Sequence, residues 1–353
     1  MRAKAVPLLL ALLAPIVLPG CYLGHLAEGQ LRLLRAARPI DEVLADPETP
    51  PELRAALAQV EPVLAYARSL GLEVGEQYRS YAHWPGDRVV TALVATRPGE
   101  IEPVRFWFPI VGAVPYKGFF DLARAERAAE RLRAQGHDTC LVPVPAYSTL
   151  GWFDDPVVTP LLQRGLGPFV ETLLHELVHA TVYVPDDADW NEGVATFIGQ
   201  EGAIRFFAAR EGDGAAEAER RRVADQRAIA RVVRTLRERV AALYRERPPG
   251  PERDAARAAA SEEARAALAA LPLTAFDPAT VAANARLGDA CLALAATYDA
   301  DLDAYARRLA DADGDLAAFV AAAREAARSE DPRRALGLPP RPGAPPAARA
   351  AAP

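Results

Sequence analysis

The spacing of apolar residues alternates between a helical and an extended period along the first 212 residues of the chain. Apolar residues recur every three to four positions in the segments predicted as helices, which are residues 23–37, 51–70, 121–135, 168–184 and 190–210. Short apolar runs predict strands at residues 89–96, 104–114 and 138–144. Pro109 lies inside the second run, so that strand is expected at a sheet edge or with a bulge.

A different pattern begins near residue 213, where long segments rich in Ala, Arg and Glu have helical spacing as far as residue 328. Residues 329–353 are rich in Pro, Ala and Arg without an apolar period, which predicts a disordered tail. The expected fold class is helix-rich α+β. A small sheet belongs to the first region, residues 21–212, and a helical region follows over residues 213–328.

Residues 1–20 have the composition of an export signal. Arg2 and Lys4 precede an apolar run, residues 6–18, that is too short to span a bilayer. The run ends in Leu-Pro-Gly-Cys, which resembles a bacterial lipobox, with Cys21 as the lipidated residue. An ordinary cleaved signal peptide with a buried Cys21 is the alternative. The lipobox predicts a chain anchored to the membrane through Cys21, facing the periplasm, at the outer rather than the inner membrane.

Composition and charge narrow the class of protein. Hydrophobic residues make up 51% of the chain and charged residues 25%, which is ordinary globular usage and excludes a mostly disordered chain. The net charge is −6, with 41 basic and 47 acidic side chains that are well mixed along the sequence. Because a protein that binds nucleic acid usually has a basic domain or stripe, no nucleic-acid partner is expected.

Three cysteines are too few for a disulfide framework. If Cys21 carries lipid, Cys140 and Cys291 remain in an oxidising compartment, where a bridge between them is possible. Sequence does not place their Cα atoms within bridging distance. Two buried free thiols are therefore the expectation, and the disulfide is the alternative.

Candidate chemistry centres on an HExxH motif, His175-Glu176-Leu177-Val178-His179. Residues four apart share one face of a helix, so the two imidazoles are expected to point at one spot, as two nitrogens of a tetrahedral zinc site require. Glu176 is offset from them, beside the metal. The surrounding helix is apolar on nearly all sides, and buried histidines and a carboxylate at such a place need ligands or partners.

A third ligand is expected from the next helix. The metzincin pattern fails, since it asks for Gly at position 182 and His at 185, where this chain has Val182 and Pro185. Glu192 lies in Asn-Glu-Gly-x-Ala at the first turn of the following helix and resembles the third ligand of gluzincins. A carboxylate that serves only the helix dipole is the alternative. Asn191 and Thr196 are expected around the ligands as hydrogen-bonding partners, although Thr196 could equally be an ordinary half-buried residue.

Three protein ligands and one open position predict one Zn²⁺ per chain that lowers the pKa of its water to about 7. Glu176 is the expected general base. A tyrosine is expected to stabilise the oxyanion, and the candidates are Tyr147, Tyr183, Tyr116 and Tyr298. Tyr183 lies one helical turn after His179 on the same face, which predicts that it is near the metal, where packing alone is the alternative role.

The turn-rich segment before the metal helix contains Asp154 and Asp155. Either carboxylate could hold the free ammonium of a peptide substrate, although Asp before Pro also commonly starts a turn.

Four segments together resemble the predicted aminopeptidase family of proteobacterial lipoproteins. They are Cys21, residues 147–156, His175–His179 with Tyr183, and residues 191–202. The resemblance covers most of residues 20–328 and implies a zinc-dependent peptidase with a gluzincin-like site. The leading hypothesis is thus a membrane-anchored zinc aminopeptidase that acts on peptides. A zinc endopeptidase of the cell envelope and a non-catalytic metal-binding or scaffold lipoprotein are the alternatives.

Overall fold

The computed structural model describes residues 22–108, 112–146, 154–185, 187–298 and 301–339. The helices are α1 Tyr22–Ala36, α2 Ile40–Ala45, α3 Pro51–Leu57, α4 Val60–Ser69, α5 Leu122–Arg133, α6 Thr159–Leu162, α7 Leu166–Thr181, α8 Ala188–Glu211, α9 Asp213–Glu246, α10 Pro251–Ala269, α11 Pro278–Asn284, α12 Asp289–Tyr298, α13 Leu302–Asp311, α14 Leu316–Ala326 and α15 Pro332–Ala335. The strands are β1 Ala37–Pro39, β2 Ser80–Ala82, β3 Val90–Thr96, β4 Phe106–Phe108, β5 Gly112–Val114, β6 Lys117–Phe119, β7 Asp138–Val144 and β8 Val157–Val158. The fold is helix-rich α+β, which confirms the predicted class.

The strands form small sheets in the first half of the chain. Strand β3 is buried along its whole length and lies between β6 and β7, antiparallel to both. A second sheet has the order β1-β2-β8, with β2 and β8 parallel. Strand β8 leads into α6 and then into α7, the helix that contains the HExxH motif. The β1-β2-β8 sheet is therefore connected, through the short helix α6, to the N-terminal end of the motif helix.

One large core joins the beginning, the middle and the end of the chain. The core is built from side chains of α4, the β1-β2-β8 sheet, α7, α8, α13 and α14. Trp190, Phe197 and Phe206 of α8 are buried in it, and Tyr305 and Phe319 pack against Phe197 with ring centroids 5.7 and 5.1 Å away. The α9–α12 helices have a smaller core of their own. Helix α8 is thus covered by the motif helix and by the C-terminal helices.

Three local predictions differ from the structure. The run 104–114 is a hairpin, in which β4 and β5 pair antiparallel, rather than one strand, and residues 109–111 between them, with Pro109, lie outside the described residues. The predicted disordered tail begins at residue 329, but α15 is helical and Leu336 and Leu338 are buried, because apolar side chains after a capped helix reach the core. The third difference concerns Cys140 and Cys291, which the sequence predicts as free thiols.

The structure corrects the cysteine prediction. Cys140 of β7 and Cys291 of α12 form a disulfide, with Cα atoms 5.2 Å apart. Helix α12 packs against both β3 and β7, and this long-range packing brings the two cysteines together. In the part of the chain that the structure describes, every helix is too short or too polar to cross a membrane.

Candidate active site

Helix α7 is apolar on almost every side, as its sequence predicts. Its buried side chains are Phe169, Val170, Leu173, Leu174, Leu177, Val178 and His179. The helix begins after Gly165, whose φ of 89° is accessible to glycine, and ends at Thr181 because Val182 is extended. The HExxH motif therefore lies in the last turns of a core helix, where polar side chains need partners or ligands.

Three side chains converge at one point between α7 and α8. His175 Nε2 lies 3.1 Å from His179 Nε2 and 3.2 Å from Glu192 Oε2, and His179 Nε2 lies 3.7 Å from Glu192 Oε2. These residues form a group of nitrogen and oxygen ligands that can hold a metal ion. The sequence predicts Glu192 of the next helix as the third ligand, and its carboxylate lies close to both histidines.

The spacing of these atoms fits a zinc ion. At tetrahedral metal–ligand distances of about 2.0–2.1 Å, neighbouring ligand atoms lie about 3.3–3.4 Å apart, close to the three distances observed. His179 Nδ1 is buried without a hydrogen-bond partner among the described residues. Two imidazoles and one carboxylate are the donor set that catalytic zinc sites use, with one position left open.

Burial and charge act together on this group in the metal-free protein. Burial raises the pKa of Glu192, but the hydrogen bond with His175 and the close approach of both histidines outweigh it and hold that pKa well below its usual range. Burial lowers the pKa of His175, but the hydrogen bond and charge of Glu192 outweigh it and raise that pKa above its ordinary value. Each of these groups therefore favours the charged form of the other, and a metal ion that binds here competes with protonation of His175.

The connection between α7 and α8 fixes the position of Glu192. The Asn191 side chain accepts a hydrogen bond from Val184 N and donates one to Val184 O, both at 2.8 Å. Asp187 caps α8 by accepting a hydrogen bond from Trp190 N at 3.0 Å. The sequence predicts that Asn191 bonds a ligand residue; instead it holds the backbone of the connection. Asn191 and Asp187 therefore influence the site through the loop that connects the two ligand-bearing helices, α7 and α8.

Gly199 allows the two helices to touch where the ligands meet. A Cβ atom there would lie 2.8 Å from Glu171 O and 3.3 Å from the His175 Cβ. At Gly202, one turn further, a Cβ would lie 2.7 Å from a Leu174 methyl group. Only a residue without a side chain lets α8 lie this close to the backbone of α7. Sequence reasoning missed both glycines, although their three-residue spacing inside a helix is a usable signal.

A charged cluster connects α7 to the long helix α9. Arg222 of α9 forms ion pairs with Glu171 and Glu219, and its Nε donates to Glu219 Oε2 at 2.9 Å. Glu171 lies one helical turn before His175, so Arg222 ties the ligand-bearing face of α7 to the long helix α9. Nothing in the spacing of the sequence distinguishes Arg222 from the many other arginines of α9.

A family described as "Putative aminopeptidase" matches residues 21–338, which is most of the chain. The chain belongs to this family. No curated protein and no solved structure matches the chain significantly. Membership in the aminopeptidase family indicates a peptidase and hence a peptide as substrate.

Within this aminopeptidase-family chain, Glu176 lies beside the ligand group. It is half-buried, and its negative charge raises the pKa of the neighbouring His175. Its carboxylate forms no hydrogen bond or ion pair with any residue that the structure describes. A carboxylate next to three potential metal ligands, without a bonding partner among the described residues, is a candidate general base for peptide hydrolysis.

The tyrosine candidates fare differently. The sequence places Tyr183 one helical turn after His179, but α7 ends at Thr181, so Tyr183 belongs to the connection and is 45% exposed. Tyr147 lies outside the described residues, and of Tyr298 only the backbone is described. Tyr116 is exposed near β6. The structure therefore corrects the helical placement of Tyr183 and selects none of the four.

Of the two candidate aspartates, Asp155 does not suit substrate binding. It is completely buried, its N–H donates to Gln77 Oε1 at 3.0 Å, and its carbonyl oxygen accepts from Tyr78 N at 2.9 Å. Asp155 thus joins the residues just before β8 to the loop that precedes β2. Asp154 is exposed and stays a candidate.

Thr196 is predicted as a partner of a ligand histidine. It is half-buried, and it forms no hydrogen bond with either histidine within the described chain. Thr196 therefore agrees with the alternative interpretation of the sequence, an ordinary half-buried threonine.

Proposed function

We propose that this protein is a zinc-dependent aminopeptidase that binds one Zn²⁺ through His175, His179 and Glu192. The observation that carries the proposal is the convergence of His175 Nε2, His179 Nε2 and Glu192 Oε2 at distances of 3.1–3.7 Å. Membership in the aminopeptidase family supports the same chemistry. A structural zinc site would not require Glu176 beside its ligands, so this arrangement favours an enzyme.

The zinc ion would supply Lewis acidity, which activates a water and polarises the scissile carbonyl. Glu176 accepts the proton of the attacking water and then delivers it to the leaving amine. Tyr183 is the described tyrosine nearest in sequence to the ligands, and with Tyr147 it is proposed to donate to the developing oxyanion. Asp154 is proposed to hold the free ammonium of the substrate, as its exposed carboxylate allows.

We also propose that the protein is a lipoprotein of the cell envelope, anchored through Cys21 and facing the periplasm at the outer membrane. The Cys140–Cys291 disulfide supports export, because structural disulfides form and persist in oxidising compartments such as the periplasm.

The decisive experiment measures bound metal and peptidase activity for the wild type and for Glu176→Gln. The substrates are peptides with a free N-terminal amine and the same peptides with an acetylated amine. We expect one zinc per chain in both proteins. In Glu176→Gln, cleavage of the free-amine peptides should fall by about 10²–10⁴-fold, because general acid–base catalysis is lost. Glu126→Gln, an exposed change on α5, is the matched control with full activity.

The other outcomes separate the alternatives. Cleavage of acetylated peptides by the wild type would indicate an endopeptidase. Bound zinc without cleavage of either set would indicate a metal-binding lipoprotein. Protein without zinc, after purification and after dialysis against zinc, would reject the site.

A further inference from the structure

The β4–β5 hairpin presents the most exposed large aromatic side chain of the described residues. Trp107, at the centre of β4, is 72% exposed. Successive side chains of a strand point to opposite faces, so Arg105 shares its face and is also exposed. Arg105 reaches across the hairpin and donates to Ala113 O at 2.7 Å. A tryptophan and an arginine held side by side on a short hairpin form what we call the hairpin surface, Arg105 and Trp107.

The other face of β4 packs on the first residue of α1. The rings of Phe108 and Tyr22 have centroids 5.5 Å apart. Lys117 Nζ lies 4.8 Å from the ring centroid of Phe106 and 5.4 Å from that of Tyr22. Burial, followed by the charge of Arg131, lowers the pKa of Lys117. The hairpin is therefore fixed against Tyr22 by aromatic and cation–π contacts.

Tyr22 in turn contacts β6, through a hydrogen bond and an aromatic pair. Its hydroxyl donates to Gly118 O at 2.8 Å, and its ring lies 5.3 Å from that of Phe119. The residue before it is Cys21, the proposed site of lipid attachment. One residue spans at most about 3.6 Å, so a lipid on Cys21 would leave no linker between the bilayer and this part of the fold.

We propose that the hairpin surface lies in the interfacial layer of an anionic phospholipid bilayer and forms a second membrane contact beside the lipid anchor. The proposal rests on the proposed lipidation of Cys21. Tryptophan prefers the headgroup region of a bilayer, because its apolar ring can contact lipid there while its N–H group remains hydrated. Arg105 would lie among the phosphates, where a cation is attracted by anionic lipid. Leu23, which is 44% exposed, adds apolar area next to the anchor.

This contact would hold the enzyme directly on the membrane rather than at the end of a tether. Stable membrane attachment generally needs more than one signal, and a rigid aromatic and basic patch beside acyl chains provides the second. The orientation of the protein on the bilayer would then be fixed.

The test uses the full-length protein, processed in cells and reconstituted into vesicles of phosphatidylethanolamine and phosphatidylglycerol. Mass spectrometry of the N-terminal peptide first reports whether Cys21 carries lipid. Tryptophan fluorescence is then compared in vesicles with and without phospholipid brominated near the headgroup. Trp84 and Trp190 are buried in the protein. The other two are Trp107 and Trp152, so the contribution of Trp107 is the difference in bromine quenching between wild type and Trp107→Phe, which should be roughly a quarter of the emission from four tryptophans.

Phe276→Trp in the Trp107→Phe background is the matched control, since it moves an exposed indole to the turn before α11. We expect bromine to leave its emission unchanged. The proposal is overturned if Trp107 is quenched by acrylamide in the water but not by brominated lipid. It also fails at its premise if Cys21 carries no lipid. Neither readout depends on metal or peptidase activity, so the proposed function is judged separately.

Discussion

The carboxylate of Glu192 lies close to both histidines, so the pKa values of Glu192 and His175 depend on each other. The two histidines hold the pKa of Glu192 low against the effect of burial, and Glu192 raises the pKa of His175, which burial alone would lower. A folded-state pKa above the unfolded value of about 6.5 means that the ion pair stabilises the fold fully below that pH. This stabilisation is lost as the pH rises through the folded pKa of His175. The pair therefore stabilises the fold more at mildly acidic than at alkaline pH.

The first prediction follows from the upward shift of the His175 pKa. In metal-free protein, Glu192→Gln should lower the free energy of unfolding more at pH 6 than at pH 9, because the amide leaves a buried His175 cation without its partner. Urea unfolding of both proteins at the two pH values, with a chelator present, measures the difference. An equal loss at both pH values would contradict the ion pair. In zinc-loaded protein, the same change should reduce metal retention at every pH.

At the scale of whole helices, the site depends on how closely α8 approaches α7. Gly199→Ala should destabilise the protein by about 1–3 kcal/mol, as overpacking of a tight contact does. A Cβ at 2.8 Å meets the backbone oxygen of Glu171, which cannot rotate away, so α8 must shift and carry Glu192 from the histidines. Chemical denaturation and zinc affinity measure the two effects.

Gly214→Ala is the matched control for that change. Gly214 lies in the first turn of α9 with open space beside it, because no atom would lie within 4 Å of a Cβ at this position. Alanine favours a helix over glycine by up to about 1 kcal/mol, so this variant should be neutral or slightly more stable. If both variants lose stability or zinc equally, close helix packing is not the cause.

The connection between the same two helices gives a third prediction. Asn191→Ala removes both hydrogen bonds to Val184 and should cost about 1–3 kcal/mol, since a partly buried N–H and C=O lose their partner. Zinc affinity should fall by about 10–100-fold, as for other residues that orient ligands. Asn284→Ala is the control, because Asn284 is exposed and bonds only Thr280 O in its own helix. Unchanged zinc affinity in Asn191→Ala would show that the loop does not position Glu192.

The parts of this fold that can be predicted from sequence are those set by local periodicity. Four-residue spacing on one helix suffices to align His175 and His179, and the short connection makes Glu192 the natural third member. The parts that sequence misses depend on contacts between distant segments. Gly199 has meaning only because α7 lies across it, and Asn191 contacts the backbone of the loop rather than a ligand. Tyr183 is misplaced by its spacing because the helix ends before it.

At the scale of the whole molecule, the disulfide joins the two halves of the chain. Cys140 and Cys291 are 151 residues apart and connect the β6-β3-β7 sheet to α12. Because the cross-link closes a long loop in the unfolded state, chain entropy sets its stabilisation at up to about 5 kcal/mol. Neither cysteine belongs to the candidate active site. Stability and metal binding should therefore respond differently to its removal.

The last prediction is that Cys140→Ala with Cys291→Ala loses up to about 5 kcal/mol of unfolding free energy but still binds one zinc at 25 °C, because α7 and α8 keep their mutual packing. Urea unfolding and metal analysis of the double variant test this, with wild type in dithiothreitol as an independent way to open the bond. The double variant leaves no unpaired thiol from this pair. Loss of zinc from folded double variant would mean that α12, which packs on α8, also holds Glu192 in place.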